Sequence, residues 1–131
     1  MRELPRMQIC GPMALVHATP ESLWRAPSPE ASDDEVKSAY ASLDQPIVLY
    51  AHIHRPYVRD GMARTVANTG SVGLPYDGDR RAAYLLLDEF KPSIRRVEYD
   101  IDKELQMLLD CRLPHADWIA KTIASGYPQM P

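Results

Sequence analysis

Three of the four histidines in this chain of 131 residues follow apolar runs. Ile47, Val48, Leu49 and Tyr50 lead into Ala51, His52, Ile53, His54, Arg55 and Pro56, and Met13, Ala14, Leu15 and Val16 lead into His17 and a turn with Thr19 and Pro20. Neutral imidazole is the commonest protein ligand for metal ions and the side chain that titrates nearest to neutrality. If the chain stays extended past Tyr50, residues two apart share a face, so His52 and His54 point the same way while Ile53 points back to the core. Their Cα atoms then lie about 6.6 Å apart at a rise of about 3.3 Å per residue, a span suited to adjacent cations rather than to chelation of one. A His-x-His pair alone is weak evidence and reads more readily as two polar residues on a half-exposed strand. His17 shifts the balance, because ligands of open sheets gather where strands end, and all three histidines are expected there. The residue types and spacing therefore point to a metal cluster.

Positioning these side chains requires buried strands at Met13 to Val16 and Ile47 to Tyr50. The first is expected to pair with Met7, Ile9 and Cys10 across the tight turn at Gly11 and Pro12. Prolines 20, 27 and 29 make the following segment an irregular loop at the mouth of the site. Trp24 within it is read as packing the loop onto the body, with stacking on a substrate base as the other reading. Ser32 and Glu35 form a capping box for a helix over 33–43, with Val36, Ala39, Tyr40 and Leu43 on its apolar face. Strand, helix and strand then make a parallel unit.

Beyond Pro56 the pattern changes to hairpins. Tyr57 to Arg59 turns at Asp60 and Gly61 into Thr65 to Ala67, and Ala82 to Leu87 returns through a turn at Lys91 and Pro92 into Ile94 to Tyr99. Asp100 is expected to cap a helix over 101–111, and a last helix over 116–125 starts near Pro114 and stops at Gly126. His115 has no partner motif and is read as a surface residue. The chain is treated as a single piece, 1–131.

Composition is that of a soluble globular domain, with 45% hydrophobic and 25% charged residues. A net charge of −3 without a Lys/Arg cluster argues against nucleic acid held by charge, and no run is long enough to span a bilayer. Met1, Arg2, Glu3, Leu4 and Pro5 do not read as a leader, so a cytoplasmic protein is expected. Cys10 and Cys111 lie far apart and outside any Cys-x-x-Cys spacing, and buried reduced thiols are the expectation.

The residues also carry a resemblance. His17 in Leu-Val-His-Ala-Thr-Pro, the pair in Tyr-Ala-His-Ile-His-Arg-Pro, and Asn68, Thr69, Gly70, Ser71, Val72 and Gly73 resemble, in order, the last motifs of the calcineurin-like metallophosphoesterases. The likeness is strongest to the small bacterial and archaeal phosphodiesterase type, whose final blocks read Val-His-Gly, Gly-His-Thr-His and Asn-Pro-Gly-Ser-Val, and it runs from about Pro12 to the end of the chain. Ala51 stands where that family has glycine before the histidine pair. The family's Asp-x-His and Gly-Asn-His blocks occur nowhere, and no Gly-Asp block precedes His17. The chain thus resembles the C-terminal half of such an enzyme.

That resemblance implies an α/β (α+β) fold: half of a metallophosphoesterase αββα sandwich, with a mixed, largely antiparallel sheet and flanking helices. It implies two divalent cations (manganese, iron, nickel or zinc) about 3.5–4 Å apart with a bridging hydroxide as nucleophile. His17 and His52 would ligate one metal and His54 the other, with Asn68, Gly70 and Ser71 as supporting or phosphate contacts. Arg55 is read as a surface residue rather than a phosphate ligand. No catalytic residue is assigned here, because the bridging carboxylate and the general acid belong to the other half in that family. The expected activity is hydrolysis of a small phosphate ester by the complete protein, with this chain alone inactive. A non-catalytic scaffold with the same fold is the alternative. A missing half would leave faces carrying Val66, Leu85 or Leu87 open for self-association.

Overall fold

The computed structural model describes residues 5–129, so Met1, Arg2, Glu3 and Leu4 of the leader reading lie outside the described residues. In chain order the elements are β1 (Met7–Cys10), β2 (Met13–Val16), α1 (Asp33–Ala39), β3 (Ile47–Tyr50), β4 (Tyr57–Arg59), β5 (Thr65–Asn68), β6 (Ala82–Asp88), β7 (Lys91–Val97), α2 (Ile101–Asp110) and α3 (Ala116–Ser125).

Every residue of β3 is buried, as expected for a central strand covered on both faces. Its side chains alternate between two cores. Val48 and Tyr50 join Ala14, Val16 and Val66 beneath Val36, Tyr40 and Leu43 of the α1 region. Ile47 and Leu49 join Ala67 on the other face, where Met13, Leu15, Val58, Leu85 and Leu87 pack against them. This period-two division is what burying an apolar run between a helix and a hairpin demands.

The five-stranded sheet has the order β1-β2-β3-β5-β4. Its centre is parallel, β2 with β3 and β3 with β5, and both edges are antiparallel. The sheet is mixed as expected, and the separate β6-β7 hairpin adds a further antiparallel pair. Register places Val16 beside Tyr50 and Tyr50 beside Asn68. His17, Ala51 and Thr69 therefore leave three neighbouring strands at one edge. The ladder continues one step past the strands, with Ala51 N donating to the His17 carbonyl at 3.0 Å and Thr69 N to that of Tyr50 at 3.0 Å.

Several expectations need correction. The capping box of Ser32 and Glu35 forms, but α1 stops at Ala39 rather than Leu43. Arg64 donates to the carbonyls of Tyr40 at 2.6 Å and Leu43 at 2.8 Å, while the Tyr40 hydroxyl donates to the Ala18 carbonyl at 2.9 Å. Ala41 N and Leu43 N turn to the carbonyls three residues back, Ser38 and Tyr40, so the chain tightens out of the α-helix there, and the long-range partners satisfy the groups that follow. The β6-β7 turn lies at Glu89 and Phe90, both left-handed at φ 47° and 64°, and Lys91 and Pro92 belong to the strand. Pro92 is tolerated because that strand pairs on one side only. β7 ends at Val97 rather than Tyr99. The cysteines are free, but Cys111 is exposed at the end of α2 and Cys10 half-buried on an edge strand, because no described layer covers either position. Val66 is fully buried and Leu85 and Leu87 are packed against the sheet. On the hairpin the exposed apolar side chains are instead Tyr84, Leu86, Phe90 and Val97. No helix among the described residues is long and apolar enough to cross a membrane.

Candidate metal centre

His17 is the first residue after β2 and is exposed. Its Nε2 lies 3.2 Å from Nδ1 of His52, with the ring centroids 5.0 Å apart and the planes at 69°. The other ring nitrogen of His52, Nε2, lies 3.0 Å from the carbonyl of Trp24. A carbonyl only accepts, so that nitrogen carries the proton and Nδ1 keeps its lone pair toward His17.

His54 is fixed in the same manner by a different carbonyl. Its Nδ1 lies 2.9 Å from the oxygen of Leu74, which puts the proton on Nδ1 and leaves Nε2 as the lone-pair nitrogen. The ring lies near Tyr76, with centroids 4.8 Å apart. Burial pushes the pKa of His54 down, the Leu74 carbonyl opposes that shift, and the nearby His52 and His17 rings add to it. The neutral form is the form that binds a cation.

The chain is not extended here, contrary to the reading of a strand running on through the pair. β3 stops at Tyr50, and His52 and His54 are left-handed at φ 58° and 55°. Ile53 N closes a tight turn onto the Ala51 carbonyl at 2.7 Å. A left-handed non-glycine residue costs about 1–2 kcal/mol, and such strain persists where surrounding bonds over-determine it. Those bonds are present. Ala51 is tied to His17, the His54 carbonyl accepts from Tyr76 N at 3.2 Å, and the amide of Asn68 donates to the Ala51 carbonyl. Ala51 itself is not among the positive-φ residues, so its methyl group brings no backbone strain.

Asn68 is fully buried. It holds Ala51 with its amide nitrogen while its Oδ1 accepts from Gly70 N at 2.9 Å. The Gly70 N–H is thereby engaged within the protein rather than presented to a ligand. Gly70 has φ +73°, and a Cβ there would lie 2.8 Å from Pro56 and 2.9 Å from Ala83, so the position requires glycine for conformation and for space. Ser71 Oγ accepts from Leu74 N at 2.9 Å, steadying the segment whose carbonyl orients His54. Asn68, Gly70 and Ser71 thus sit behind the histidines and shape the backbone that carries them. Arg55 forms a two-pronged ion pair with Glu30, which holds the Glu30 carboxyl below the usual range. His115 is exposed at the start of α3, away from these strand ends in sequence and with no side-chain cap bond.

The donor set can be tested against a cation. Two nitrogens bound at about 2.0–2.1 Å with angles between square and tetrahedral are about 2.9–3.4 Å apart, and the 3.2 Å between His17 and His52 falls in that interval. Ligating imidazoles also need the second nitrogen held by a carbonyl or carboxylate, which Trp24 and Leu74 provide for His52 and His54. The His17 and His52 nitrogens fit as a pair. Nothing enlarges that pair into a full ligand set: among the described residues no group of three or more His, Cys, Asp and Glu side chains is arranged to hold a metal ion, so neither His54 nor a carboxylate joins them. A cleft of about 630 Å³ beside the loop is lined by Thr19, Ser22, Arg25 and Glu30, among others, but by none of the three histidines.

Sequence reasoning missed the two backbone carbonyls, which no residue type announces. It also misjudged Trp24, which is 79% exposed and has its indole edge-on to the His52 ring rather than packed into the body. The loop is held instead by the Tyr50 hydroxyl donating to Pro27 O at 2.7 Å and by Arg59 donating to the carbonyls of Ala31 and Pro29.

The fold has known counterparts. A metallophosphoesterase from Sphaerobacter thermophilus superposes with a TM-score of 0.79 at 24% identity, covering 95% of this chain and 59% of that one. A hypothetical protein from Pyrococcus horikoshii OT3 superposes with a TM-score of 0.80 at 20% identity, covering 98% and 53% respectively. In sequence, an uncharacterized protein of Methanocaldococcus jannaschii is 32% identical over an alignment of 129 residues that covers 84% of this chain and 50% of that protein. No protein-family model matches. The chain therefore has a metallophosphoesterase-like fold and spans little more than half the length of these similar proteins.

Proposed function

We propose that this chain carries the imidazole side of a two-metal phosphoesterase site, with His17 and His52 on one cation and His54 on the other. The observation that carries the reading is the 3.2 Å approach of His17 Nε2 and His52 Nδ1 at adjacent ends of parallel strands. Neutral imidazoles suit borderline cations such as manganese, iron, nickel or zinc. Divalent cations, when bound, supply charge neutralisation for the ester oxygens and a lowered pKa for the attacking water. The chain's own residues hold the ligands: Trp24 and Leu74 fix the tautomers, and Asn68 holds the backbone at Ala51. The carboxylate ligands and the proton donor are proposed to come from a further segment, in keeping with similar proteins of almost twice this length. Among the described residues no three His, Cys, Asp or Glu side chains group to hold a metal ion, which also favours a second reading, a scaffold with a disabled site.

Calorimetric titration of the purified chain with Mn²⁺ tests the proposal. Weak binding lost in both His17→Ala and His52→Ala is expected, with hydrolysis of bis-p-nitrophenyl phosphate at the rate of a metal blank. Joined to a segment bearing the carboxylates, the chain should turn over the ester and lose that activity in His52→Ala. Metal binding indifferent to both substitutions would overturn the assignment in favour of the scaffold.

A further inference from the structure

Trp24 is the most exposed of the large apolar side chains in the described residues, at 79%. A single exposed hydrophobic residue is ordinary on a protein surface. This one differs in its setting. Its backbone carbonyl orients His52, and its indole stands 6.3 Å from the His52 ring at 76°, so it is the aromatic neighbour of the imidazole pair on the solvent side.

The loop that presents it is firmly built. Ser22 Oγ accepts from both Trp24 N and Arg25 N at 3.1 Å, and Thr19 and Ser22 are bonded to each other through backbone and side chain. Tyr50 and Arg59 anchor the segment further along. A segment with these ties can leave its largest apolar group in water without losing its shape. The backbone that carries the indole is thus already ordered for a ligand, and the loop has little entropy left to lose on binding. Open indole faces attract planar aromatic groups, and base–aromatic stacking tolerates many bases because each has a π-face. The net charge of −3 and the lack of a basic stripe point to a small nucleotide rather than a nucleic acid strand.

Resting on the metal-site reading above, we propose that Trp24 is a stacking platform for the base of a nucleotide-type phosphate ester, whose phosphate lies toward His17 and His52. It acts as a specificity-determining residue and takes no part in bond cleavage.

The test is equilibrium binding to the full chain in Mn²⁺, read by calorimetry and tryptophan fluorescence, with AMP, ribose 5-phosphate and adenosine as probes. AMP is expected to bind about tenfold more tightly than ribose 5-phosphate, within the usual worth of one stacked base, and to quench the Trp24 emission. Trp118, whose indole N–H donates to the Gln129 carbonyl at 2.6 Å, serves as the internal reference. Trp24→Ala should remove the preference for AMP, and Trp24→Phe should retain much of it. Equal affinity for AMP and ribose 5-phosphate in the unmodified chain, or a preference that survives in Trp24→Ala, overturns the platform. AMP binding that keeps its preference but is indifferent to Mn²⁺ and to His52→Ala supports the platform while overturning the metal-site reading.

Discussion

Between Met13 and Asn68 the chain buries its apolar side chains on both faces of a sheet, whereas from Ala82 onward it leaves many of them in solvent. Among the described residues, all the buried hydrophobic ones except Ala83 and Ile123 lie at or before Ala67. The later part exposes Tyr84, Leu86, Phe90, Val97, Met107, Leu109, Leu113 and Tyr127, and α2 buries no residue at all. It is held by a few ties. Ala83 N donates to Ser71 O at 2.9 Å and Gly78 N to Gly126 O at 2.9 Å, and Arg96 pairs with Asp77 and Asp79. Arg81 and Arg96 hold the Asp79 carboxyl below the usual range. The histidines are carried by the region whose geometry is over-determined, and the strained backbone at His52 and His54 is affordable there. Regions with few buried apolar contacts open at lower free energy, so the comparison predicts two levels of stability within one chain.

The largest effect should come from the central core. Tyr50→Ala removes a fully buried ring and its bonds to Pro27 and Tyr57, and about 3–5 kcal/mol should be lost, as for other large buried aromatic side chains. Met107→Ala on α2 should stay within about 0.5 kcal/mol. Urea unfolding of both variants gives the contrast directly, and equal losses would break it.

Next is Asn68→Ala. It strands the buried Gly70 N–H, worth about 1–3 kcal/mol when left unsatisfied, and removes one of the two donors to the Ala51 carbonyl, which keeps Ile53 N. Because Ala51 precedes His52, metal affinity measured by calorimetry should also fall by about 10- to 100-fold, as for other supporting partners of ligands.

Gly126→Ala should act on the later region alone. The residue has φ +73°, and an added Cβ would lie 2.9 Å from the backbone carbon of Gly78. A loss of more than about 1 kcal/mol is expected, with faster amide exchange in α2 and α3 and unchanged protection in β2, β3 and β5. Uniformly faster exchange would mean that the regions unfold as one.

The smallest effect is the pH dependence carried by His54. Its pKa in the fold lies below its ordinary value of 6.5, so the unfolded chain takes up the proton first. The contribution is fully present above pH 6.5 and is lost as pH falls from there through the depressed folded value. Urea midpoints of the unmodified chain should drop more than those of His54→Gln between neutral pH and about pH 5.

Much of this arrangement was legible without coordinates. The apolar runs before His17 and His52, the capping box at Ser32, the Asp100 cap and the Gly126 stop are signals within about four residues of one another, and each forms as read. Tertiary structure alone decided the rest. The pairing of His17 with His52 joins residues 35 apart, the carbonyls that fix His52 and His54 come from 28 and 20 residues away, and the carbonyls beyond the end of α1 are bound by Arg64 from 24 and 21 residues away. Local pattern specifies which residues lie on a buried face. The direction of a ring, the exposure of Trp24 and the left-handed turns at His52 and His54 depend on hydrogen-bond partners that only the folded chain brings within reach.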